Sequence, residues 1–185
     1  MREIASKGQL RLAFLRWAVV TVPFILLLGF TAGRLAPSGD DNPWFVALTK
    51  PDIMPPGIAF PIAWAIIYVL LGLALAMVIN ARGSRFRGPA LLAFALQLVI
   101  NLAWAPVFFG LHQVVTALFM IAALIVLVLL TFLLFWRVRK GAALLLLPYF
   151  AWLCFAFALL YQLHMLNPNA SSLVPSRSAD QIRII

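Results

Sequence analysis

Long apolar runs separated by short charged or proline-rich breaks organise this chain. No Asp, Glu, Lys or Arg lies between Arg16 and Arg34, between Asp52 and Arg82, between Arg87 and Arg137, or between Lys140 and Arg177. A helix crosses a bilayer with about 20 apolar residues at about 1.5 Å rise each. The Arg87–Arg137 gap is too long for one crossing and fits two, with Phe109-Gly110-Leu111-His112-Gln113 as the polar break between them. The pattern therefore predicts five transmembrane helices, over 17–35, 57–80, 89–109, 114–136 and 142–166. The fold class is all-α, an integral membrane bundle. Residues 1–16 read as a basic amino-terminal tail and 17–166 as the five-helix domain. The long proline-rich connection 36–56 can fold over the bundle mouth as a lid or serve as a tether. Residues 167–185 read as a polar carboxyl tail, expected to be disordered.

Composition agrees with a bilayer setting. Of the 185 residues 65% are hydrophobic and 10% charged, and the mean hydropathy is +1.06. A water-soluble fold of this size has too little interior to hide that much apolar surface. The uninterrupted runs exclude a transmembrane β-barrel, whose strands alternate with period two. There is no internal repeat, so an inverted-repeat transporter has no support. The first span resembles a signal peptide in its basic flank and in Thr31-Ala32-Gly33, but its apolar stretch is longer than a usual h-region. Cys154 is the one cysteine and lies within a span.

Charge sets an expected orientation. The amino tail and the second and fourth connections hold 10 of the 14 Lys and Arg residues. The positive-inside rule then puts the amino terminus inside and the carboxyl terminus outside, as in a bacterial cytoplasmic membrane. The net charge of +9 is read as this bias meeting anionic membrane lipid. Nothing points to nucleic acid, because no basic-aromatic stripe lies outside the spans.

The spans contain no acid or base in their central parts, which disfavours proton or ion coupling. They show no metal-ligand cluster and no nucleophile–base pair. His112 and His164 sit near span ends and read as interfacial side chains. Aromatic rings and amides remain. Gln97, Asn101, Trp104 and Phe108 share one face of the third span at i, i+4, i+7 and i+11. An amide facing lipid would leave its donors and acceptors unmet, so this face points into the bundle. There it is either interhelical glue or the wall of a binding site. Phe60, Trp64 and Tyr68 repeat the spacing on the second span, and Tyr149, Trp152 and Ala156 face together on the fifth with Phe155 close by. Trp64, Trp104 and Trp152 lie well inside their spans, where each indole N–H needs a partner. Trp17, Trp44 and Trp136 fall at span ends and read as interfacial anchors. Three interior tryptophans on three helices fit a cavity for a flat apolar ligand; plain core packing is the competing reading. Pro23, Pro61, Pro106 and Pro148 are expected to kink their helices and open space between them.

At these residues the chain resembles the TspO/MBR family of tryptophan-rich sensory and translocator proteins. The likeness runs from about residue 44 to 167. It is carried by Trp44-Phe45-Val46-Ala47-Leu48-Thr49-Lys50-Pro51 with Pro55-Pro56, by Phe60-Pro61 with Trp64 and Tyr68, by the third span from Gln97 to Gly110, and by Pro148-Tyr149-Phe150-Ala151-Trp152 with Phe155-Ala156 and Leu166-Asn167. The resemblance implies a homodimeric five-helix bundle that binds porphyrins such as protoporphyrin IX, with no obligatory cofactor. It implies a ligand site at Phe45, Trp64, Asn101, Trp104, Trp152 and Ala156, and the shared helical faces add Tyr68, Gln97, Phe108 and Phe155 to the candidates. If light-dependent porphyrin degradation holds, as in some bacterial relatives, Trp64 and Trp152 would be the catalytic residues. A carrier of porphyrin or lipid-like molecules is a further alternative. The chain departs from the family pattern at Asp52-Ile53, where an aromatic is frequent, and at Leu160, where an asparagine is frequent. Arg34 and Lys50 are expected to meet the propionates of a bound porphyrin.

Overall fold

The computed structural model describes residues 7–173, which hold seven α-helices and no strand. The helices are α1 (Lys7–Gly33), α2 (Pro43–Ala47), α3 (Ala59–Asn80), α4 (Arg87–Ala105), α5 (Val114–Val138), α6 (Lys140–Leu144) and α7 (Leu147–Leu166). Five stretches are long and apolar enough to cross a membrane: Arg11–Gly33, Ala59–Asn80, Arg87–Gly110, Val114–Val138 and Lys140–Leu166. Their outer faces leave large apolar side chains bare. Val19 and Phe119 are each 71% exposed, an arrangement that suits acyl chains and not water. The chain is an integral membrane protein.

Helix α1 packs along α3, while α5 lies against α4, α6 and α7. The first contact depends on a residue with no side chain. A Cβ on Gly72 would lie 2.6 Å from the Val22 Cα, so the two backbones meet only because it is absent. The Thr21 hydroxyl uses this proximity. It donates to the Gly72 carbonyl at 2.7 Å, with the Trp17 carbonyl of its own helix as a second acceptor at 3.0 Å. Small residues at helix crossings and hydroxyl bonds between helices are the usual means of association in lipid.

Several boundaries differ from expectation for local reasons. Helix α1 starts at Lys7, well ahead of Trp17, so the described part of the basic segment is already helical. Residues 1–6 lie outside the described residues. Pro61 and Pro148 do not kink helix interiors. Each stands in the first turn of its helix, where a missing N–H costs no hydrogen bond. The fifth crossing is interrupted at Leu145 and Leu146, between α6 and α7, in the turn before Pro148, which offers no N–H to the Leu144 carbonyl. Pro106 does distort its span. Helix α4 ends at Ala105 and continues as a π-helical turn, Pro106–Gly110, with the Leu111 amide donating to the Pro106 carbonyl at 3.0 Å. His112 follows at φ 57°, a left-handed residue that turns the chain into α5.

The expected disordered tail begins with a packed segment. Asn167 and Ala170 are buried, and a short 3-10 turn covers Ala170–Ser172. The Thr49 amide donates to Asn167 Oδ1 and Asn167 Nδ2 donates back to the Thr49 carbonyl, both at 2.9 Å. The rest of that tail, 174–185, lies outside the described residues.

Gly72→Ala is expected to lower stability by roughly 1–3 kcal/mol through overpacking against Val22. Thermal unfolding in detergent measures it, and an unchanged midpoint would contradict the close approach of α1 and α3.

Candidate functional site

The aromatic faces of α3, α4 and α7 surround a hollow. A cavity of about 740 Å³ lies between the helices beneath the α1–α3 connection. Trp64 and Tyr68 line it from α3, Asn101 and Trp104 from α4, and Trp152, Phe155 and Ala156 from α7. Phe45 of α2 and Phe108 of the π-helical turn close its upper part. The rings brace one another and leave the centre open. Trp64 stacks on Tyr68 with centroids 5.3 Å apart, and Trp104 on Phe108 at 5.0 Å. Phe60 meets Trp152 edge-on at 5.9 Å.

One polar chain crosses the floor. The Tyr68 hydroxyl donates to Asn101 Oδ1 at 3.3 Å, and Asn101 Nδ2 donates to the Tyr149 hydroxyl at 2.9 Å. Tyr149 is fully buried and Asn101 nearly so. The amide expected on α4 thus ties together the three helices that carry the interior tryptophans. The Trp104 indole donates to the Ala117 carbonyl of α5 at 3.1 Å. Among the described residues the Trp64 and Trp152 indoles have no protein acceptor, so their N–H groups are free for a ligand.

Gln97 is the expected site residue that the cavity does not include. It lies one turn from Asn101 on the side away from the mouth. It is fully buried, and neither its Oε1 nor its Nε2 has a hydrogen-bond partner. Sharing a helical face gave it the right direction, but the cavity ends above it. Leu160, at the position of the absent asparagine, lines the wall as an apolar residue.

The mouth is held shut at one side by its own connection. Asn42 caps α2 through the Phe45 amide at 3.1 Å, and its Nδ2 donates to the carbonyls of Pro37 and Phe109 at 2.8 and 3.0 Å. Trp44 is not the interfacial anchor expected. It is 1% exposed, and its Nε1 donates to the Ala170 carbonyl at 2.7 Å. His112 stacks on it at 4.4 Å and Phe108 meets it edge-on at 5.4 Å. The residues that cover Trp44 are far away in sequence, and no local pattern announces them.

Arg34, Asp40, Asp41 and Lys50 rim the opening. Lys50 is already occupied, contrary to the expectation that it meets propionates. Its Nζ donates to the carbonyls of Phe45, Val46 and Leu48 and sits 4.6 Å over the Phe45 ring. It therefore satisfies the carboxyl end of α2. Burial lowers its pKa from the usual lysine value, with nearby Asp40 opposing the shift. Sequence reasoning missed Tyr149 as the partner of Asn101 behind the cavity wall, although its spacing from Trp152 placed it on the same face. Gly29 was also missed. It lines the cavity, and a Cβ there would fall 2.1 Å from the Tyr68 ring.

Fold and site together define a five-helix membrane protein with an aromatic cavity between its helices. The TspO/MBR family model matches residues 19–166, and the chain belongs to the TspO/MBR family. It is 35% identical over 144 residues to the tryptophan-rich protein TspO of Chlorobaculum tepidum, covering 77% of this chain and 90% of that one. It is 34% identical over 155 residues to the tryptophan-rich sensory protein of Cereibacter sphaeroides, covering 81% and 96%. To the human translocator protein it is 32% identical over 153 residues, covering 75% and 88%.

A double-mutant cycle between Asn101→Ala and Tyr149→Phe is expected to give a coupling of roughly 0.6–1.7 kcal/mol in unfolding free energy. Strict additivity of the two substitutions would contradict the floor network.

Proposed function

We propose that this protein is a membrane receptor or sensor that binds porphyrins of the protoporphyrin IX kind, and other flat hydrophobic molecules, within the aromatic cavity. The observation that carries this reading is the hollow of about 740 Å³ walled by rings from three helices. Its size falls within the roughly 300–1,000 Å³ of small-molecule sites, and it combines apolar walls with few polar groups, as such sites do. A macrocycle lying between Trp64 and Trp152 would meet indole faces at its surfaces and N–H groups at its edges. Asn101 has one amide hydrogen left after its bond to Tyr149, so it offers a single further donor at the floor. Arg34 is the rim cation available to a propionate, because Lys50 caps α2. The sensory role draws on the name of the Cereibacter sphaeroides relative.

A second reading is light-driven degradation of the same ligand, favoured by the stack of Trp64 on Tyr68 at the cavity wall. An excited porphyrin there would exchange an electron with an indole in contact with it, and dissolved dioxygen would be the oxidant consumed in opening the ring. Under this reading Trp64 and Trp152 become catalytic. Illumination of the loaded protein separates the two: a Trp152→Phe variant that bleaches porphyrin as fast as the parent excludes a catalytic Trp152.

Titration of the purified protein with protoporphyrin IX is expected to give saturable quenching of tryptophan emission. Gly29→Ala drives a methyl into the Tyr68 ring and pushes that ring toward the cavity, and Trp104→Ala removes part of the wall. Each is expected to weaken binding by roughly tenfold. Quenching that does not saturate, or that neither substitution alters, would remove the proposal.

A further inference from the structure

At the end of the bundle away from the cavity, charge accumulates that no carboxylate among the described residues balances. The α3–α4 connection brings Arg82, Arg85 and Arg87, and the end of α5 with the start of α6 brings Arg137, Arg139 and Lys140. The described residues hold three carboxylates, Asp40, Asp41 and Asp52, and all lie on the α1–α3 connection at the opposite end.

The cations are not merely scattered there. Phe86 gathers two of them from different connections. The guanidinium carbon of Arg85 lies 4.7 Å from the centre of its ring and that of Arg137 lies 5.7 Å from it. The ring attracts each cation, while the cations repel one another. An anion within reach of both would be attracted by each and would offset their repulsion. Beside them the Nε of Arg87 is buried without a hydrogen-bond partner, although a guanidinium offers five donors and seeks charged acceptors.

Depth indicates what the anion is. Trp136 is 40% exposed, with the Lys140 ammonium 5.4 Å over its ring. A half-exposed tryptophan paired with a lysine marks the level of lipid headgroups. The outer faces of α4 and α5 that lead away from this level are apolar, with Leu92, Leu96, Leu129 and Leu133 exposed. These faces suit acyl chains.

We propose that Arg85, Arg87 and Arg137, arranged around Phe86, form a binding site for the phosphodiester headgroup of an anionic membrane lipid. Planar guanidinium groups match phosphate oxygens two at a time. The bound headgroup ties the α3–α4 connection to the end of α5. A general preference for basic residues on one side of a membrane requires charge alone. This site requires in addition a ring that holds two guanidinium groups together.

The test uses the full-length protein in detergent, with lipid retention read by native mass spectrometry and stability by thermal unfolding. Phosphatidylglycerol is expected to be retained and to raise the midpoint, and phosphatidylcholine is not. Phe86→Leu leaves every charge in place and is expected to weaken phosphatidylglycerol binding by about threefold or more. Arg85→Gln with Arg137→Gln is expected to weaken it by roughly tenfold or more. Arg82→Gln with Arg139→Gln removes the same charge from the same two connections and is expected to have a clearly smaller effect. Helical circular dichroism confirms that each variant is folded. Equal losses from the two double variants, with Phe86→Leu binding as the parent does, would overturn the site in favour of a diffuse charged collar. Inorganic phosphate that stabilises the protein as strongly as the lipid does would overturn the assignment to a lipid headgroup.

Discussion

An amide within a membrane-spanning helix has no water to turn to, and this fold is organised around where Asn101 finds its partners. Oδ1 accepts from Tyr68 on α3 and Nδ2 donates to Tyr149 on α7. The three helices joined by this chain are the ones that carry Trp64, Trp104 and Trp152. Fixing them at one depth sets the spacing of the rings above. Leaving a buried donor or acceptor unmet costs kilocalories in an apolar medium, so the three helices have a strong reason to keep this register. Gly72 and Thr21 do a related job on the other side of α3, where backbone proximity holds α1 in place.

A second set of contacts secures the open end. The α1–α3 connection is stapled to the segment after α7 through Thr49 and Asn167, and to the α4–α5 turn through Asn42. Trp44 fills the junction of all three. Phe45, on the same short helix, is thereby held over the cavity. Lys50 contributes to this rigidity through the carbonyls it caps. A cation that looks like a ligand contact when only its position is considered is, in the fold, part of the frame of the mouth.

Much of this was legible in the sequence, and for identifiable reasons. Charge-free gaps report spans directly, because a bilayer penalises charge over a fixed thickness. Asn101, Trp104 and Phe108 were placed together by helical spacing alone, and the rings of α3 and α7 likewise. What stayed hidden depends on depth or on distant partners. Gln97 shares the face of Asn101 but lies below the cavity floor. Trp44 resembles an anchor until Ala170 and His112 close over it. Pro148 does interrupt the fifth crossing, but one turn ahead of itself: it has no N–H for the Leu144 carbonyl, so α6 ends there and Pro148 stands in the first turn of α7. Gly29 and Gly72 carry no side-chain pattern at all, and only the neighbouring helix shows why a Cβ is excluded there.

Rings from α3, α4 and α7 wall the cavity that we propose as the porphyrin site, with the Asn101 chain at its inner end. A crystal structure of the protein with protoporphyrin IX bound tests this most directly. The macrocycle is expected inside the bundle, between Trp64 and Trp152 and beside Trp104, with Asn101 beneath it. Porphyrin bound only on the lipid-facing surface, with the three tryptophans packed against one another and no space between them, would contradict it.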